Sequence, residues 1–263
     1  MKVQLLTPPA VIADYVSSIV VLENNSMFYE AVLPLIANGY PSITFQLTDP
    51  ARILSAGKKS DQLVLYGQNI APIRLHTAGE ITVIAYFLHP YMLQSLLGYE
   101  AKELTGQGID LSLIGLAREI NLKEQLLNAP SLNARLELMN GYINQLSRRN
   151  RIRINEPVTY ATRLIQKNKG TLLLMDLRKE LYITERTLER RFEQHIGLTP
   201  KMYSRICQFN AALQQLSRNR FSDMAGVAME NGYADQSHLI RAFKDFTTYS
   251  PLEYIKQAEN FPG

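Results

Sequence analysis

An internal repeat near the C-terminus of the 263-residue chain constrains the fold more than any other feature. The segment 184–192, TERTLERRF, aligns with the segment 235–243, DQSHLIRAF, at an offset of 51 residues. The identical pairs are Leu188 with Leu239, Arg190 with Arg241 and Phe192 with Phe243. The match continues to Tyr203 and Tyr254, each three residues after a proline. Such a self-match predicts two copies of one supersecondary unit.

Each copy has the pattern of two helices joined by a tight turn. A short apolar-faced helix, at 172–181 or 222–231, precedes the turn, and Thr184 or Asp235 can cap a second helix after it. The repeated Leu and Phe lie four residues apart and can anchor that second helix in a small core. The residues left facing outward are Glu185, Arg186, Glu189 and Arg190 in the first copy and Gln236, Ser237, Ile240 and Arg241 in the second.

The pattern is that of a helix-turn-helix, whose second helix enters the major groove of double-stranded DNA. The outward residue types suit base reading, because Arg pairs bidentately with guanine and Gln with adenine. One such hairpin would be weak evidence, but two copies with equivalent arginines are stronger. The eight outward residues are therefore the predicted DNA-binding residues.

The segment between the copies is predicted to be a helical rod. Thr199 and Pro200 form a cap and first-turn signal, and residues 201–217 have apolar residues at helical spacing. A helix of that length spans roughly 25 Å, which fixes the separation of the two recognition helices. The expected target is two successive major-groove faces about 34 Å apart.

The net charge of +4 is unevenly distributed. Residues 1–150 carry 11 Lys and Arg against 12 Asp and Glu, whereas residues 151–263 carry 17 against 12. The C-terminal part is therefore basic. Such asymmetry is consistent with nucleic-acid binding, although an ordinary solvated surface can carry the same excess.

The N-terminal part is predicted to contain short strands. Runs rich in Val, Ile, Thr, Tyr and Phe lie at 30–35, 42–47, 51–54, 62–66 and 80–88, separated by turn residues. This pattern predicts an antiparallel sandwich or barrel.

Helical periodicity replaces this pattern from residue 91 to residue 149. A heptad seam runs through Leu132, Leu136, Met139, Ile143 and Leu146. The seam either packs as a coiled coil against its copy in a second subunit or packs on the N-terminal strands. The sequence favours neither alternative. Residues 150–156, within an arginine-rich stretch that ends at Pro157, are predicted to be a linker.

The C-terminal motifs resemble the DNA-binding domain of the AraC/XylS family of bacterial transcription regulators. They are Leu-x-Arg-x-Phe-x4-Gly-x-Thr-Pro-x-x-Tyr from Leu188, the rod, Gly232-Tyr233 with the following helix, and Ser-Pro-x-x-Tyr ending at Tyr254. The resemblance covers residues 157–257 and implies an all-α domain with two helix-turn-helix units on one face of DNA. It also implies RNA polymerase as a partner. Arg178, Gln208 and Thr248 depart from the family pattern, which usually has Ala, Arg and Gly there.

The front segment is similar to the cupin-like sensory domains that precede some AraC-type domains, through Val32-Leu-Pro-x4-Gly-Tyr-Pro and Tyr86-Phe-Leu-His-Pro. Such domains bind a small effector or dimerise. The expected fold class is α+β, with an N-terminal antiparallel β-barrel (cupin-like) with flanking helices and an all-α C-terminal domain. The expected division is a sensory domain at 1–107, a helical connector and candidate dimerisation element at 108–149, the linker, and the DNA-binding domain at 157–263.

Enzymatic and metal chemistry is not predicted. Residues 1–150 contain only two histidines, His76 and His89, which are too few for a metal site with several histidines. Cys207 is the single cysteine, and the sequence contains no phosphate-binding or nucleophile motif. No cofactor is expected. No membrane partner is expected either, because no apolar run is long enough to span a bilayer. The expected location is cytoplasmic, since a single cysteine cannot form an intramolecular disulfide. Two hypotheses remain, a regulator whose barrel senses a small effector, and a regulator-derived protein whose N-terminal domain only dimerises or binds a protein partner.

Overall fold

Strands occupy the first part of the chain and helices the rest in the computed structural model, which describes residues 2–25, 30–47, 53–55, 58–59, 61–150, 154–218 and 223–259. The strands are β1 (Lys2–Leu6), β2 (Val16–Asn24), β3 (Glu30–Leu35), β4 (Ser42–Leu47), β5 (Ile53–Ser55), β6 (Lys58–Lys59), β7 (Leu63–Tyr66), β8 (Ile73–Ala78), β9 (Ile81–Leu88) and β10 (Gly108–Asp110). The helices of the N-terminal domain, which runs through Asn150, are α1 (Met92–Leu97), α2 (Gly115–Glu119), α3 (Leu122–Asn128) and α4 (Leu132–Arg149), with 3-10 turns at Ala101–Leu104 and Leu111–Leu113. The helices of the C-terminal domain are α5 (Glu156–Lys167), α6 (Leu174–Glu180), α7 (Glu185–His195), α8 (Pro200–Ser217), α9 (Met224–Glu230), α10 (Gln236–Thr247) and α11 (Pro251–Glu259).

The described strands form two antiparallel sheets. Six strands pair in the order β1-β2-β9-β4-β7-β10, and four pair in the order β3-β8-β5-β6. The α+β class and the antiparallel N-terminal fold are confirmed. Among the described strands the predicted barrel is not closed, because the edge strands β1 and β10 pair only with β2 and β7. The six-stranded sheet also ends at Asp110, three residues beyond the expected boundary.

Most of the predicted strands are present, and several were missed. Residues 30–35 and 42–47 form β3 and β4, and β7 and β9 lie within the predicted runs. The predicted run at 51–54 begins outside the described residues and overlaps β5. The strands without a predicted counterpart are β1, β2, β6, β8 and β10. In β2 only every second or third residue is buried, so the strand lacks the regular alternation of apolar and polar residues that predicts a strand.

The heptad seam of α4 is part of the protein's own core. Met139, Ile143 and Leu146 are buried, and Leu132 and Leu136 are partly buried against the core. Tyr86 of β9 fixes the helix, because its hydroxyl donates to the carbonyl of Leu136 at 3.2 Å or to Asn140 Oδ1 at 2.9 Å. The seam therefore packs within the chain, which was one of the two predicted alternatives.

A glycine brings α5 and α8 into direct contact. The chain turns after α5 at Gly170, whose φ is +74°. A Cβ atom added there would lie 2.0 Å from the carbonyl oxygen of Ser204 in α8. Since α8 joins the two repeats, this close approach helps to set where they lie.

We expect Gly170→Ala to destabilise the protein by roughly 2–4 kcal/mol, because it adds a backbone clash to the strain of a positive φ. Urea unfolding followed by circular dichroism measures the loss. Gly98→Ala is the matched control, since Gly98 has a φ of +81° and no neighbour within 4 Å of an added Cβ, and it should cost only about 1 kcal/mol. Equal losses would show that α8 does not crowd Gly170.

Candidate nucleic-acid interface

The first repeat folds as a helix-turn-helix made of α6 and α7. Thr184 caps α7, and its hydroxyl accepts a hydrogen bond from the backbone amide of Thr187 at 3.2 Å. Leu188 and Phe192 are buried, at 2% and 0% exposure, and belong to the same hydrophobic core as Leu177 of α6. The predicted cap and the predicted anchoring pair are both confirmed.

The second repeat, made of α9 and α10, has the same construction. The Asp235 carboxylate caps α10 by accepting from the backbone amide of His238 at 2.7 Å. Leu239 and Phe243 are fully buried. The predicted scaffold helix at 222–231 is α9, and its predicted first residue, Ser222, lies outside the described residues. The two units therefore present the faces of α7 and α10 in equivalent ways.

Seven of the eight predicted DNA-binding residues are exposed, and Ile240 is half-buried. The exposed residues are Glu185, Arg186, Glu189, Arg190, Gln236, Ser237 and Arg241. Glu185 differs from the others because its carboxylate is held by Arg178 of α6 at 2.6 Å. The departure from the family pattern at position 178 thus supplies a partner to the first residue of the recognition helix.

The turn of each unit contains one residue in the left-handed region. In the second unit this residue is Gly232, with a φ of +74°. In the first unit it is Tyr182, with a φ of +52°, and its side chain is 95% exposed. A non-glycine residue is strained in this conformation, and the exposed ring of Tyr182 gains little from packing. The first turn therefore stores strain that the second turn avoids.

The helix α8 packs against both recognition helices and keeps them together. Tyr203 meets Phe192 of α7 edge-on, with ring centroids 6.2 Å apart. Phe209 meets Phe243 of α10 edge-on at 5.0 Å. An 18-residue helix is about 27 Å long, which agrees with the predicted rod. Thr199 caps it by accepting from the Met202 amide at 3.2 Å, and Pro200 occupies its first turn.

The other two departures from the family pattern have structural roles. Gln208 of α8 donates through Nε2 to the carbonyl of Asn231 at 2.9 Å, so it binds the C-terminal end of α9. Thr248 ends α10 with a φ of +69°, the conformation that glycine adopts more readily. The chain therefore reverses at this position without glycine.

The C-terminal end of α7 is anchored to the N-terminal domain. Lys102 forms an ion pair with Glu193 at 3.0 Å. Thr105 Oγ1 donates to the carbonyl of Gly197 at 2.6 Å. An added Cβ at Gly197 would lie 2.7 Å from the carbonyl oxygen of Ala101, so the two domains touch through backbone atoms. No sequence pattern predicts these contacts, because they join single residues of a short turn to a helix end far along the chain.

The residue before α5 adds a further anchor at the same helix end. Asn155 Nδ2 lies 3.1 Å from His195 Nε2. Burial lowers the pKa of His195, and the charge of Arg191 lowers it further, which favours the neutral ring that can accept this hydrogen bond. The exposed N-terminal half of α7 thus projects from a helix whose other end is fixed.

Among the residues that the structure describes, no group of three His, Cys, Asp or Glu side chains is placed to bind a metal ion. No helix in the described ranges is long and apolar enough to cross a membrane. The two helices present polar and cationic side chains. Such side chains suit double-stranded DNA, in which phosphates carry the negative charge and base edges carry the sequence information.

Comparisons with known proteins agree with this geometry. A helix-turn-helix domain model matches residues 177–257, and a domain of unknown function, DUF6597, matches residues 4–110. An uncharacterized HTH-type transcriptional regulator from Haemophilus influenzae is 33% identical over 67 residues, which is 26% of this chain. The chain spans only 22% of the length of that relative.

Solved structures of ToxT from Vibrio cholerae have a similar fold along nearly the whole chain. One, solved at 1.65 Å, has a TM-score of 0.51 at 12% identity, covering 97% of this chain and 98% of that one. Another, bound to (E)-4-(8-methylnaphthalen-1-yl)but-3-enoic acid, has a TM-score of 0.52 at 13% identity, covering 97% and 99%. These likenesses show the fold, and the matched domain model identifies residues 177–257 as a helix-turn-helix domain. The helix-turn-helix match is consistent with the resemblance of the repeat motifs to AraC-type DNA-binding domains.

We expect Tyr182→Gly to stabilise the protein by up to about 1 kcal/mol, because it relieves the strain of a left-handed non-glycine residue. Thermal and urea unfolding measure the change. The reciprocal control is Gly232→Ala, which should destabilise the second turn, since an added Cβ would also lie 2.7 Å from the Thr171 side chain. A loss of stability in Tyr182→Gly would mean that the exposed ring contributes packing that outweighs the strain.

Proposed function

We propose that the protein binds DNA in a sequence-specific way, with α7 and α10 reading two successive major-groove faces. One observation carries the proposal, namely that α8 contacts the buried aromatic residue of each recognition helix and leaves the polar face of each exposed. Two such helices on a rod of about 27 Å suit grooves that recur every 34 Å or so on one side of the duplex. The function is binding, without a catalytic step.

Arg190 and Arg241 are the proposed central base contacts. They occupy the same position in the two repeats, and both are exposed. An arginine at such a position pairs bidentately with guanine O6 and N7, and Gln236 can pair with adenine in the same groove. Glu185 is proposed to act with Arg178, which holds its carboxylate and fixes its direction. Arg186, Glu189, Ser237 and Ile240 complete the proposed interface.

The N-terminal domain is proposed to sense a small effector and to pass the signal to the DNA-binding helices. The contacts at Lys102 and Thr105 support this, because they join the domain to the end of α7. A neighbour of the same fold has been solved with an organic acid bound. A cytoplasmic location and recruitment of RNA polymerase belong to the same proposal.

The second candidate function is that the N-terminal domain only dimerises or binds a protein partner. A groove of about 550 Å3 between α3 and α4 favours this second function. Ala134, Leu138 and Gly141 line the groove, and they lie on a different face of α4 from the buried seam. A metabolite screen by thermal shift, together with sedimentation analysis, separates the two functions, since a ligand that binds only the native state raises the melting temperature.

We expect Arg190→Ala or Arg241→Ala to relax base preference in one half of the DNA site. The loss should be roughly 1–3 kcal/mol at the contacted base pair, because a bidentate pair with guanine disappears. Selection of binding sites from a random duplex library, followed by titration of single-base variants, measures this. Arg148→Ala, at an exposed position at the end of α4, is the control and should leave base preference unchanged. Uniform weakening on all sequences would instead assign these arginines to phosphate.

We also expect the affinity for duplex DNA to fall steeply with salt, because bound Lys and Arg side chains displace condensed counterions. A decrease of at least roughly a hundredfold between 50 and 200 mM salt is expected for a protein that contacts several phosphates. Fluorescence anisotropy on the selected site and on a scrambled duplex gives the two slopes. Salt-independent binding would contradict the electrostatic part of the proposal.

A further inference from the structure

A cavity of about 560 Å3 lies between the two domains. One wall is the loop before β4, which contributes Asn38 and Tyr40. The facing wall comes from the C-terminal end of α5 and from α8, including Gln166, Tyr203 and Cys207. This volume is within the usual range of small-molecule sites.

Hydrogen bonds between the domains hold the walls of the cavity in place. Asn210 Nδ2 of α8 donates to the carbonyl of Asn38 at 3.0 Å, and Gln166 Nε2 of α5 donates to the Tyr40 hydroxyl at 3.0 Å. Within the N-terminal domain, Gln68 Nε2 fixes the same loop by donating to the carbonyl of Gly39 at 3.0 Å. The cavity therefore depends on the docking of one domain on the other.

The floor of the cavity carries polar groups that are uncharged. Tyr203 is fully buried, and its hydroxyl lies beside the side chains of Cys207 and Gln166 without a hydrogen bond of good geometry to a described residue. Burial raises the pKa of the Cys207 thiol to about 12, and burial also raises the pKa of Tyr40. These groups are therefore neutral at physiological pH. A buried hydroxyl without a partner is unfavourable, so a bound molecule that pairs with it would be stabilised.

The mouth of the cavity carries an excess of positive charge. Lys169 and Arg218 line it and are exposed, and neither forms an ion pair with a described residue. Glu230 also lines the mouth, and its carboxylate accepts from Gln215 Nε2 at 2.7 Å. Two cations against one carboxylate suit a ligand with an anionic end.

We propose that this cavity binds a small polyhydroxylated anion, such as a sugar acid or a sugar phosphate. Hydroxyl groups both donate and accept, as do the carboxamides of Asn210 and Gln166, so they match the neutral floor. A carboxylate or phosphate would form charge-assisted hydrogen bonds with Lys169 and Arg218 at the mouth. A purely alkyl acid fits less well, because its chain would leave the Tyr203 hydroxyl unpaired.

The position of the cavity links such a ligand to DNA binding. It lies against α8, which holds both recognition helices, and against the Asn38 loop, which belongs to the other domain. A ligand that touches both walls stabilises the docked arrangement over any other. This step rests on the proposed DNA-binding function, whereas binding of the ligand itself does not.

The test uses the full chain with gluconate, glucose 6-phosphate, glucose, octanoate and inorganic phosphate as probes. Calorimetric titration should show saturable binding of gluconate or glucose 6-phosphate, at least about tenfold tighter than the binding of glucose. One charge-assisted hydrogen bond to the anionic group is enough for that difference in affinity. The two anions tell a carboxylate ligand from a phosphate ligand. Absence of binding by both polyhydroxylated anions, or tighter binding of octanoate or of phosphate alone, would overturn the inference.

Variants of the cavity locate the binding. Tyr203→Phe should weaken the preferred probe about tenfold by removing one hydroxyl. Lys169→Gln, at an exposed position that should not affect folding, should reduce the preference for the anion over glucose, because Arg218 alone would then contact the anion. Lys167→Gln, at the last residue of α5 and outside the cavity lining, is the matched control and should bind like the native protein. Unchanged binding in both Tyr203→Phe and Lys169→Gln would place the ligand elsewhere and overturn the inference.

DNA binding of the ligand-free protein is measured in parallel on the selected duplex. If DNA binds and the probes do not, the cavity inference fails while the proposed function stands. If a probe binds in the cavity and DNA does not bind, the proposed function fails and the site remains.

Discussion

The packing of α8 against both recognition helices is the interaction on which the rest of the DNA-binding domain depends. A single helix carries Tyr203, which meets Phe192 of the first unit, and Phe209, which meets Phe243 of the second. Phe209 also contacts Phe246, at 5.1 Å between ring centroids. Because protein cores are closely packed, these aromatic contacts leave little freedom for one unit to move against the other. The separation and relative orientation of α7 and α10 are therefore properties of α8.

A second constraint comes from the N-terminal domain, which is docked on the same helices. It touches the end of α7 through Lys102 and Thr105, and it touches α8 through the carbonyl of Asn38. Any molecule that changes this docking acts on elements that carry the proposed base contacts. The position of the interdomain cavity follows from this arrangement, since its walls are the loop of one domain and the rod of the other.

The C-terminal fold was predictable to a large extent because its signals are local. Caps at Thr184, Thr199 and Asp235 and the pairs of buried residues on one helix face depend on neighbours within about one helical turn. The strands were predicted less completely. β2 pairs with β9 and β8 pairs with β3, each far along the chain. The two-sheet arrangement depends on which edges pair, and the residue pattern of each strand does not contain that information.

The sequence by itself determined the two repeats, their caps, their anchoring residues and the outward position of Arg190 and Arg241, because helical periodicity decides which face is buried. Only the tertiary structure decided that the seam of α4 packs inside the chain, since the pattern is the same for an internal or an intermolecular contact. It also decided that Arg178 holds Glu185 and that Asn38 and Tyr40 face α8 across the interdomain cavity. Those contacts join residues without a repeating pattern, and only the docking of whole elements brings them together.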